Sequence, residues 1–316
     1  MRYAKIIMML FCCVFVILGC GKKKTQINND KNYLYPITVN GKGGYINRGG
    51  TIVIDPIYDS VFDFREGLAK VGLNGKYGYI NTKGEVVIEP IYTIAFGFAE
   101  GLAAVAEKRH LGFIDREGVL KIPYKFTGFS AYFSEGLAAV CLEYFFGKGL
   151  CRILYIDKSG DIVLEIKPKT NEFFDLGDFR NGLARVCSKS GKCGYINKNG
   201  EMVIPQQYDY AGDFSEGLAA FKKDGKYGYI DTNNSVIISA QFDNALEFSE
   251  GIAPIKRGQL YGYINKSGRT VVSERFVSAK PFLYGLAQVK ERINSKLYQG
   301  YINKKGKYVW KHEVDE

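Results

Sequence analysis

The fold of this 316-residue chain is decided by a phrase that recurs along it, and residues 75–92 give it most fully: Gly-Lys-Tyr-Gly-Tyr-Ile-Asn-Thr-Lys-Gly-Glu-Val-Val-Ile-Glu-Pro-Ile-Tyr. Residues 225–238 echo it closely. Its centre is Gly, an aromatic residue and Ile, then Asn or Asp, and it begins at Gly44, Gly78, Gly112, Gly194, Gly228, Gly262 and Gly300, with a degenerate copy at Leu154. Four of the seven successive spacings are 34 residues. A fixed period of this length predicts a tandem array of small units.

A second motif keeps the same period. Glu-Gly-Leu-Ala, or a close variant of it, places its glycine at Gly67, Gly101, Gly136, Gly182, Gly217, Gly251 and Gly285. Because two motifs stay in phase over most of the chain, the sequence predicts eight tandem units of about 34 residues, with insertions where the spacing is longer.

Each unit contains three short segments rich in β-branched and aromatic residues, which predict an antiparallel three-stranded repeat. Strand A is typified by residues 101–106, strand B by residues 78–81 and strand C by residues 85–89. Between B and C, an Asn or Asp is followed three residues later by Gly, as in a tight turn whose fourth position takes positive φ. Asn234 replaces that Gly once, and Asn also tolerates this conformation. The variable stretch after strand C, such as residues 56–64, fits either a fourth strand or a short helical turn.

Both alternating sets of side chains are apolar in strand A at residues 102–105 and in strand C at residues 86–88, so we expect neither face of the sheet to meet water. The units must then stack on one another. The predicted fold class is all-β, with the units arranged as a propeller-like ring or, alternatively, as an open β-solenoid.

The phrase at residues 75–92 resembles the WG (KWG) β-repeat family of bacteria, and the resemblance covers roughly residues 35–311. The tryptophan of the family is absent here. Tyr77, Tyr227 and Tyr261 replace it in three units, and Leu111 and Cys193 replace it in two others. The resemblance implies a repeat scaffold, often exported, with no enzymatic activity shared by the family.

The N-terminus predicts export and a lipid anchor. Residues 1–19 have the basic start and the short apolar run of a signal peptide. Ile17-Leu18-Gly19-Cys20 resembles a bacterial lipobox, in which Cys20 would carry the lipid. Residues 20–33 then form a flexible tether and residues 34–316 the repeat domain. The predicted location is the bacterial cell envelope, lipid-anchored to a membrane and facing outside the cytoplasm; a plain signal peptide cut nearby and an uncleaved anchor are the alternatives.

Four cysteines lie outside the predicted signal and lipid site: Cys141, Cys151, Cys187 and Cys193. The first member of each successive pair lies in strand A and the second lies just before strand B. Because A and B are neighbours in a hairpin and an exported chain meets an oxidising compartment, we predict the bridges Cys141–Cys151 and Cys187–Cys193. Free thiols are the alternative, and a four-cysteine metal site is disfavoured because there is no CxxC pair.

The residues give little support for catalysis. His110 and His312 are the two histidines of the chain, and they lie in different repeats. No phosphate-binding loop of the GxxxxGK[ST] type is present. The glutamate of the Glu-Gly-Leu-Ala motif recurs at one repeat position, which is typical of a residue that maintains the fold, here at the turn into strand A. We therefore predict no enzyme, no cofactor and no metal.

Binding is the remaining function, and we expect it where the repeats differ, at the insertions 145–152, 167–178 and 291–297. The candidate binding residues are Tyr144, Phe145, Phe146, Lys148 and Arg152, a composition suited to a protein or glycan, although packing over the fourth repeat would also explain it.

The formal net charge of +10 favours an anionic glycan, protein or lipid surface, and export disfavours nucleic acid. The leading hypothesis is a non-enzymatic, membrane-anchored scaffold. A structural or sensory envelope component without a discrete ligand, and an envelope hydrolase, are the alternatives.

Overall fold

The computed structural model describes residues 33–108, 110–127, 132–145, 150–166 and 173–315. These residues form 29 β-strands and no helix. All strand pairs are antiparallel, so the predicted all-β class is confirmed.

The strands of the first four sheets follow one another in chain order. They are β1 (Tyr35–Val39), β2 (Lys42–Ile46) and β3 (Ile52–Tyr58); β4 (Ser60–Arg65), β5 (Leu68–Leu73), β6 (Lys76–Asn81) and β7 (Val86–Tyr92); β8 (Ile94–Ala95), β9 (Ala103–Glu107), β10 (His110–Ile114) and β11 (Leu120–Phe126); and β12 (Ala138–Phe145), β13 (Leu150–Ile156) and β14 (Ile162–Glu165).

Three further sheets complete the described chain. They are β15 (Phe173–Leu176), β16 (Leu183–Ser188), β17 (Cys193–Asn197) and β18 (Met202–Tyr208); β19 (Tyr210–Ala211), β20 (Leu218–Lys223), β21 (Lys226–Asp231) and β22 (Val236–Phe242); and β23 (Asn244–Ala245), β24 (Ile252–Arg257), β25 (Leu260–Asn265), β26 (Thr270–Ala279), β27 (Leu286–Ile293), β28 (Lys296–Asn303) and β29 (Tyr308–Val314). In each sheet the strand order in space is the order in sequence.

The variable stretch after strand C forms a strand, which settles the alternative that the sequence left open. In the second sheet, for example, β4 precedes the predicted strands A, B and C, which are β5, β6 and β7. The three-stranded repeat that we predicted is therefore one strand short in most sheets, although β1–β3 and β12–β14 show three strands within the described residues. The outer strand of one sheet runs into the first strand of the next, and β26 does so without a break, pairing with both β25 and β27.

The turn between strands B and C has the geometry that its sequence predicts. In the second sheet, the side-chain oxygen of Asn81 accepts hydrogen bonds from the backbone N–H groups of Lys83 and Glu85, at 2.9 and 3.1 Å. Gly84 has a φ of +84°, and Asn234, the exception, has a φ of +66°. The positive φ is the reason for glycine here, because a Cβ on Gly84 would make only an ordinary contact, 3.4 Å, with the Ile54 side chain of the preceding sheet.

The glycine of the repeated Gly-aromatic pair permits a close crossing of two strands. A Cβ on Gly78 would lie 2.5 Å from the carbonyl oxygen of Ile88 in the outer strand. The register between β6 and β7 also shifts beside it, with Tyr79 opposite Ile88 and Ile80 opposite Val86, so the outer strand is bulged.

Neighbouring sheets are joined by the tyrosine of strand B and a phenylalanine of the following sheet. Tyr79 is fully buried, its ring centroid lies 4.9 Å from that of Phe98, and its hydroxyl donates to the carbonyl oxygen of Phe96 at 2.7 Å. The same ring pair and the same type of hydrogen bond occur at Tyr45, Tyr155, Tyr195, Tyr229 and Tyr263. The hydrophobic core therefore lies between consecutive sheets.

The expectation that neither face of the sheet meets water is correct for strand A and wrong for strand C. Ala103 to Val105 are fully buried, whereas Val86 and Val87 are 48% and 42% exposed. The bulge is the physical reason, because it adds a residue opposite Tyr79 and Ile80 and leaves two consecutive side chains outside the core. Of the apolar run in strand C, Ile88 alone is buried.

Candidate functional site

The segment that leads from the first strand of a sheet into strand A has a common pattern, with an aromatic residue between two variable ones. Phe64 and Phe179 occupy the aromatic position in the second and fifth units and are buried against the preceding sheet. The fold therefore fixes the flanking residues of these segments, Asp63 with Arg65 and Asp178 with Arg180, where they line one cavity.

These flanking residues meet in one cleft, which we call the shared cleft. Two adjoining cavities form it, and both are lined by Asp63, Arg65, Arg180 and Leu283. The remaining walls include Tyr35, Tyr132, Ser134, Asp178, Ser215, Glu247, Ser249, Lys280 and Gln288. Side chains from sheets that are far apart in sequence thus surround a single space. The walls combine charges of both signs, hydroxyl groups and tyrosine rings.

A third cavity is also lined by Arg180, and it contains the carboxyl group of Asp213. Burial raises the pKa of Asp213, and the nearby guanidinium of Arg185 opposes that shift. Arg185 is itself held by Asp175, at 2.9 Å, and by the carbonyl oxygen of Ala211, at 3.2 Å. Oδ1 of Asp213 is buried and accepts no hydrogen bond from a described residue. Groups with shifted pKa values are common at functional sites, so this carboxyl is a candidate contact for a polar ligand.

The side chains that line the shared cleft are suited to hydrogen bonding with a ligand. The guanidinium of Arg65 lies over the ring of Tyr132, 5.0 Å from its centroid, so the two side chains orient each other. Arginine and tyrosine on a fixed scaffold are frequent anchors of binding sites. Within the described ranges, no group of three or more His, Cys, Asp or Glu side chains is arranged to hold a metal ion.

The recurring glutamates link one unit to the next, and two of them, Glu66 and Glu100, also line the shared cleft. Glu66 has a φ of +52° in the turn into strand A, and its carboxylate accepts a hydrogen bond from the backbone N–H of Gly101 in the following turn at 2.9 Å. The same bond joins Glu100 to Gly136, Glu135 to Gly182, Glu216 to Gly251 and Glu250 to Gly285. The turn role that the sequence indicates is thus extended by a contact between units, which sequence reasoning missed.

The disulfide Cys187–Cys193 is confirmed. The two residues face each other in β16 and β17, with their Cα atoms 4.0 Å apart. Cys141 also forms a disulfide. The side chain of Cys151 lies outside the described residues, so the pair Cys141–Cys151 stays a prediction, and the hairpin of β12 and β13 brings the two backbones near each other.

The other residues that the sequence singled out are not tested by the structure. Cys20, Phe146 and Lys148 lie outside the described residues, as do the side chains of Tyr144, Phe145 and Arg152. The part of the chain that is described contains no helix with the length and hydropathy to traverse a bilayer.

Two of the three insertions lie at the opposite end of the strands from the shared cleft, whereas the third, residues 167–178, ends at Asp178 in the wall of the cleft. Residues 145–152 and 291–297 lengthen the hairpins between strands A and B. The cleft is at the other end, where the first strand turns into strand A. Sequence reasoning therefore missed Asp63, Arg65 and Arg180. The signal that could have found them was the variability of the positions flanking a repeated phenylalanine.

Comparison with protein families agrees with the repeated geometry. The model of the WG containing repeat matches residues 44–77, 77–108, 112–144, 194–227, 227–261 and 261–292. This chain belongs to the WG β-repeat family. No curated protein matches it significantly.

Several solved structures resemble the fold at low sequence identity. A dihydro-heme d1 dehydrogenase, NirN, in complex with DHE has a TM-score of 0.58 at 12% identity, over 92% of this chain and 75% of that one. A eukaryotic initiation factor has a TM-score of 0.56 at 10% identity, over 91% and 87%. The computationally designed Ika8 protein has a TM-score of 0.53 at 12% identity, over 86% and 97%. These likenesses concern the fold alone.

The cysteine assignment predicts the outcome of peptide mapping without reductant. We expect one peptide pair linked through Cys187 and Cys193 and a second linked through Cys141 and Cys151, because each pair spans one hairpin. Mass spectrometry before and after reduction measures both. Free thiols at Cys151, or linkage of Cys141 to another cysteine, would show the second pairing to be wrong.

Proposed function

We propose that this protein is a lipoprotein of the bacterial cell envelope that acts as a non-enzymatic scaffold and binds a protein or a glycan in the shared cleft. The observation that carries the proposal is the convergence of side chains from distant repeats, such as Asp63, Arg180 and Lys280, on one space. A solvated surface without a ligand needs no such convergence.

We further propose that eight repeats close into a propeller-like ring rather than an open stack. Support comes from contacts between the last strands and the first sheet. The hydroxyl of Tyr301 donates to the carbonyl oxygen of Pro36 at 2.7 Å. The hydroxyl of Tyr35 donates to the backbone carbonyl oxygen of Tyr284 at 2.6 Å. The rings of Tyr33 and Tyr284 lie 4.2 Å apart.

The contact of Tyr301 compensates for a strand that the first sheet lacks among the described residues. In the third sheet, the carbonyl oxygen of Ala104, which is equivalent to that of Pro36, accepts from the backbone N–H of Phe96 beside the first strand. Tyr301 supplies the donor in the first sheet. Pro36 has no N–H to leave unpaired at that edge, so the sheet edge is closed against a further strand. Both features favour a joint between the chain ends.

The proposed ligand class follows from the walls of the cleft. Arg65, Arg180 and Lys280 can donate to carboxylate, phosphate or hydroxyl oxygens, and Asp63 and Glu247 can accept from hydroxyl or amide groups. Tyrosine rings add apolar contact area. Glycans and peptide segments present this mixture of donors, acceptors and apolar faces.

The ring proposal predicts that one end-to-end hydrogen bond contributes as much as an internal one. We expect Tyr301→Phe and Tyr229→Phe each to lower the free energy of unfolding by about 1–3 kcal/mol, because each leaves a carbonyl oxygen between sheets unpaired. Tyr77→Phe is the control, since its hydroxyl bonds to no described residue. Denaturant unfolding measures all three. An unchanged stability of Tyr301→Phe beside a destabilised Tyr229→Phe would indicate an open stack.

The cleft proposal predicts that Arg180→Ala removes ligand binding. On arrays of defined envelope glycans and peptides, we expect a loss of tenfold or more in affinity, on the order of 2 kcal/mol for a central arginine anchor. Lys42→Ala is the control, because Lys42 pairs with Asp59 at the opposite end of the strands. Binding that survives Arg180→Ala, or an array on which the wild-type protein binds nothing, would contradict the proposal.

The anchor proposal predicts that Cys20→Ser abolishes lipid attachment. In bacteria grown with labelled palmitate, we expect label and membrane association in the wild-type protein and neither in Cys20→Ser. Cys13→Ser is the matched control, since Cys13 lies within the predicted signal peptide and is removed with it. Equal labelling of the wild type and Cys20→Ser would refute lipidation at this residue.

A further inference from the structure

A repeated ion pair joins four of the turns between strands B and C to the preceding unit. The basic residue that follows the Asn or Asp of the turn reaches the glutamate of the preceding Glu-Gly turn, at 3.0 to 3.2 Å. The pairs are Lys158–Glu100, Lys198–Glu135, Lys266–Glu216 and Lys304–Glu250. A carboxylate therefore accompanies the base at each of these joints.

Where the carboxylate is missing, the base is missing too. Asn181 occupies the glutamate position of the fifth unit, and Thr232 occupies the basic position of the turn that follows it. Likewise, Asn32 falls in the sequence at the glutamate position of the first unit, and Thr82 occupies the basic position of the second. At these two joints the glutamate and the basic residue are thus absent together, so neither charge is left without its partner.

Two turns carry arginine at the basic position. Arg116 faces the Glu66 turn, with Nη2 3.2 Å from the position that a Cβ on Gly67 would take, whereas Arg48 faces a turn without glutamate. The turn of Arg48 meets Tyr284 and Gly285, and Nη2 of Arg48 lies 2.5 Å from the position that a Cβ on Gly285 would take. Tyr284 stands where the other units have glutamate, with a φ of +48° against +52° for Glu216. Arg48 consequently reaches the same place as the paired lysines but has no ion-pair partner among the described residues.

A cleft opens at this joint, lined by Arg48, Tyr284, Gly285, Asn303, Lys304 and Lys305 on either side of Glu250. Glu250 is engaged by Lys304 and by the N–H of Gly285. The lining thus contains three cations, Arg48, Lys304 and Lys305, and one carboxylate, that of Glu250. The cleft therefore has an excess of donors and positive charge.

We propose that this cleft is an anion site and that it takes the phosphate group of a membrane lipid. The planar guanidinium of Arg48 presents a fork of N–H donors that matches phosphate oxygens, and Lys305 adds a second cation at the rim. Tyr284 leaves the site without the carboxylate that pairs with a lysine at this position in four other units.

The position of the chain start favours a lipid as the source of the phosphate. Tyr33, the first described residue, packs on Tyr284, so the described chain begins beside the cleft. The thirteen residues 20–32 reach at most about 45 Å, and Lys22 to Lys24 lie within them. This choice of source rests on the proposed anchor at Cys20, whereas the anion site rests on Arg48 and Tyr284 alone.

The test uses the chain beginning at Gly21, which retains every described residue and lacks Cys20. Binding is measured by cosedimentation with phosphatidylcholine vesicles with and without phosphatidylglycerol, and with inorganic phosphate by NMR of the arginine side chains. We expect binding to the anionic vesicles that falls about tenfold in Arg48→Ala and in Tyr284→Glu. Lys158→Ala, at the same turn position in another unit, is the matched control and is expected to bind as the wild type. Circular dichroism checks that each variant is folded.

Each result decides the proposal. Vesicle binding that is equal in the wild type and Arg48→Ala, or lost equally in Lys158→Ala, would overturn it in favour of unspecific charge. Phosphate binding that depends on Arg48 without vesicle binding would overturn the lipid source and keep the anion site. No phosphate or vesicle binding by the wild type would overturn both. Palmitate labelling of Cys20 is independent of all these results, so a failure of the anchor is distinguishable from a failure of the site.

Discussion

The contact between a strand B tyrosine and the next sheet is the interaction on which the rest of this structure depends. A sheet of three or four short strands is too thin to exclude water, and its apolar side chains become buried only when a second sheet covers them. Tyr79, Tyr195 and Tyr229 each supply a ring to that interface and a hydroxyl to a backbone oxygen that would otherwise be buried without a donor. Burial raises the pKa of each of these phenols. Stability thus accumulates between neighbours, as expected of repeat proteins.

The glycines of the repeat serve this contact. Gly78 lets the outer strand cross strand B, and Gly84 takes the positive φ of the turn that lies against Ile54 of the preceding sheet. The position that gives the family its tryptophan holds Tyr77 in this unit, half-buried and covered by the ammonium group of Lys70 at 4.8 Å from its ring centroid. A smaller ring is accommodated there because a long cationic side chain packs over it.

The proposed functions arise where the repetition fails. Glutamate recurs and holds consecutive turns together, whereas the residues beside the repeated phenylalanine vary and line the shared cleft. Where Arg48 of the first unit contacts the turn of the last, Tyr284 replaces a glutamate, and Arg48 lacks the carboxylate that pairs with lysine in four other units. The repeated residues thus account for the fold, and the departures from the repeat supply the candidate binding chemistry.

The sequence by itself determined the period, the β class, the B to C turn with its positive-φ residue, and the Cys187–Cys193 bridge. These features are local, since a hairpin and its turn depend on residues only a few positions apart. Only the tertiary structure decided the fourth strand, the exposure of Val86 and Val87, and the meeting of Asp63 with Arg180. The fourth strand depends on pairing within a variable segment, the exposure on a bulge that shifts the register, and the cleft on the mutual orientation of sheets. The period of the sequence indicates that the units contact one another, but the packing between the sheets determines which side chains face one another.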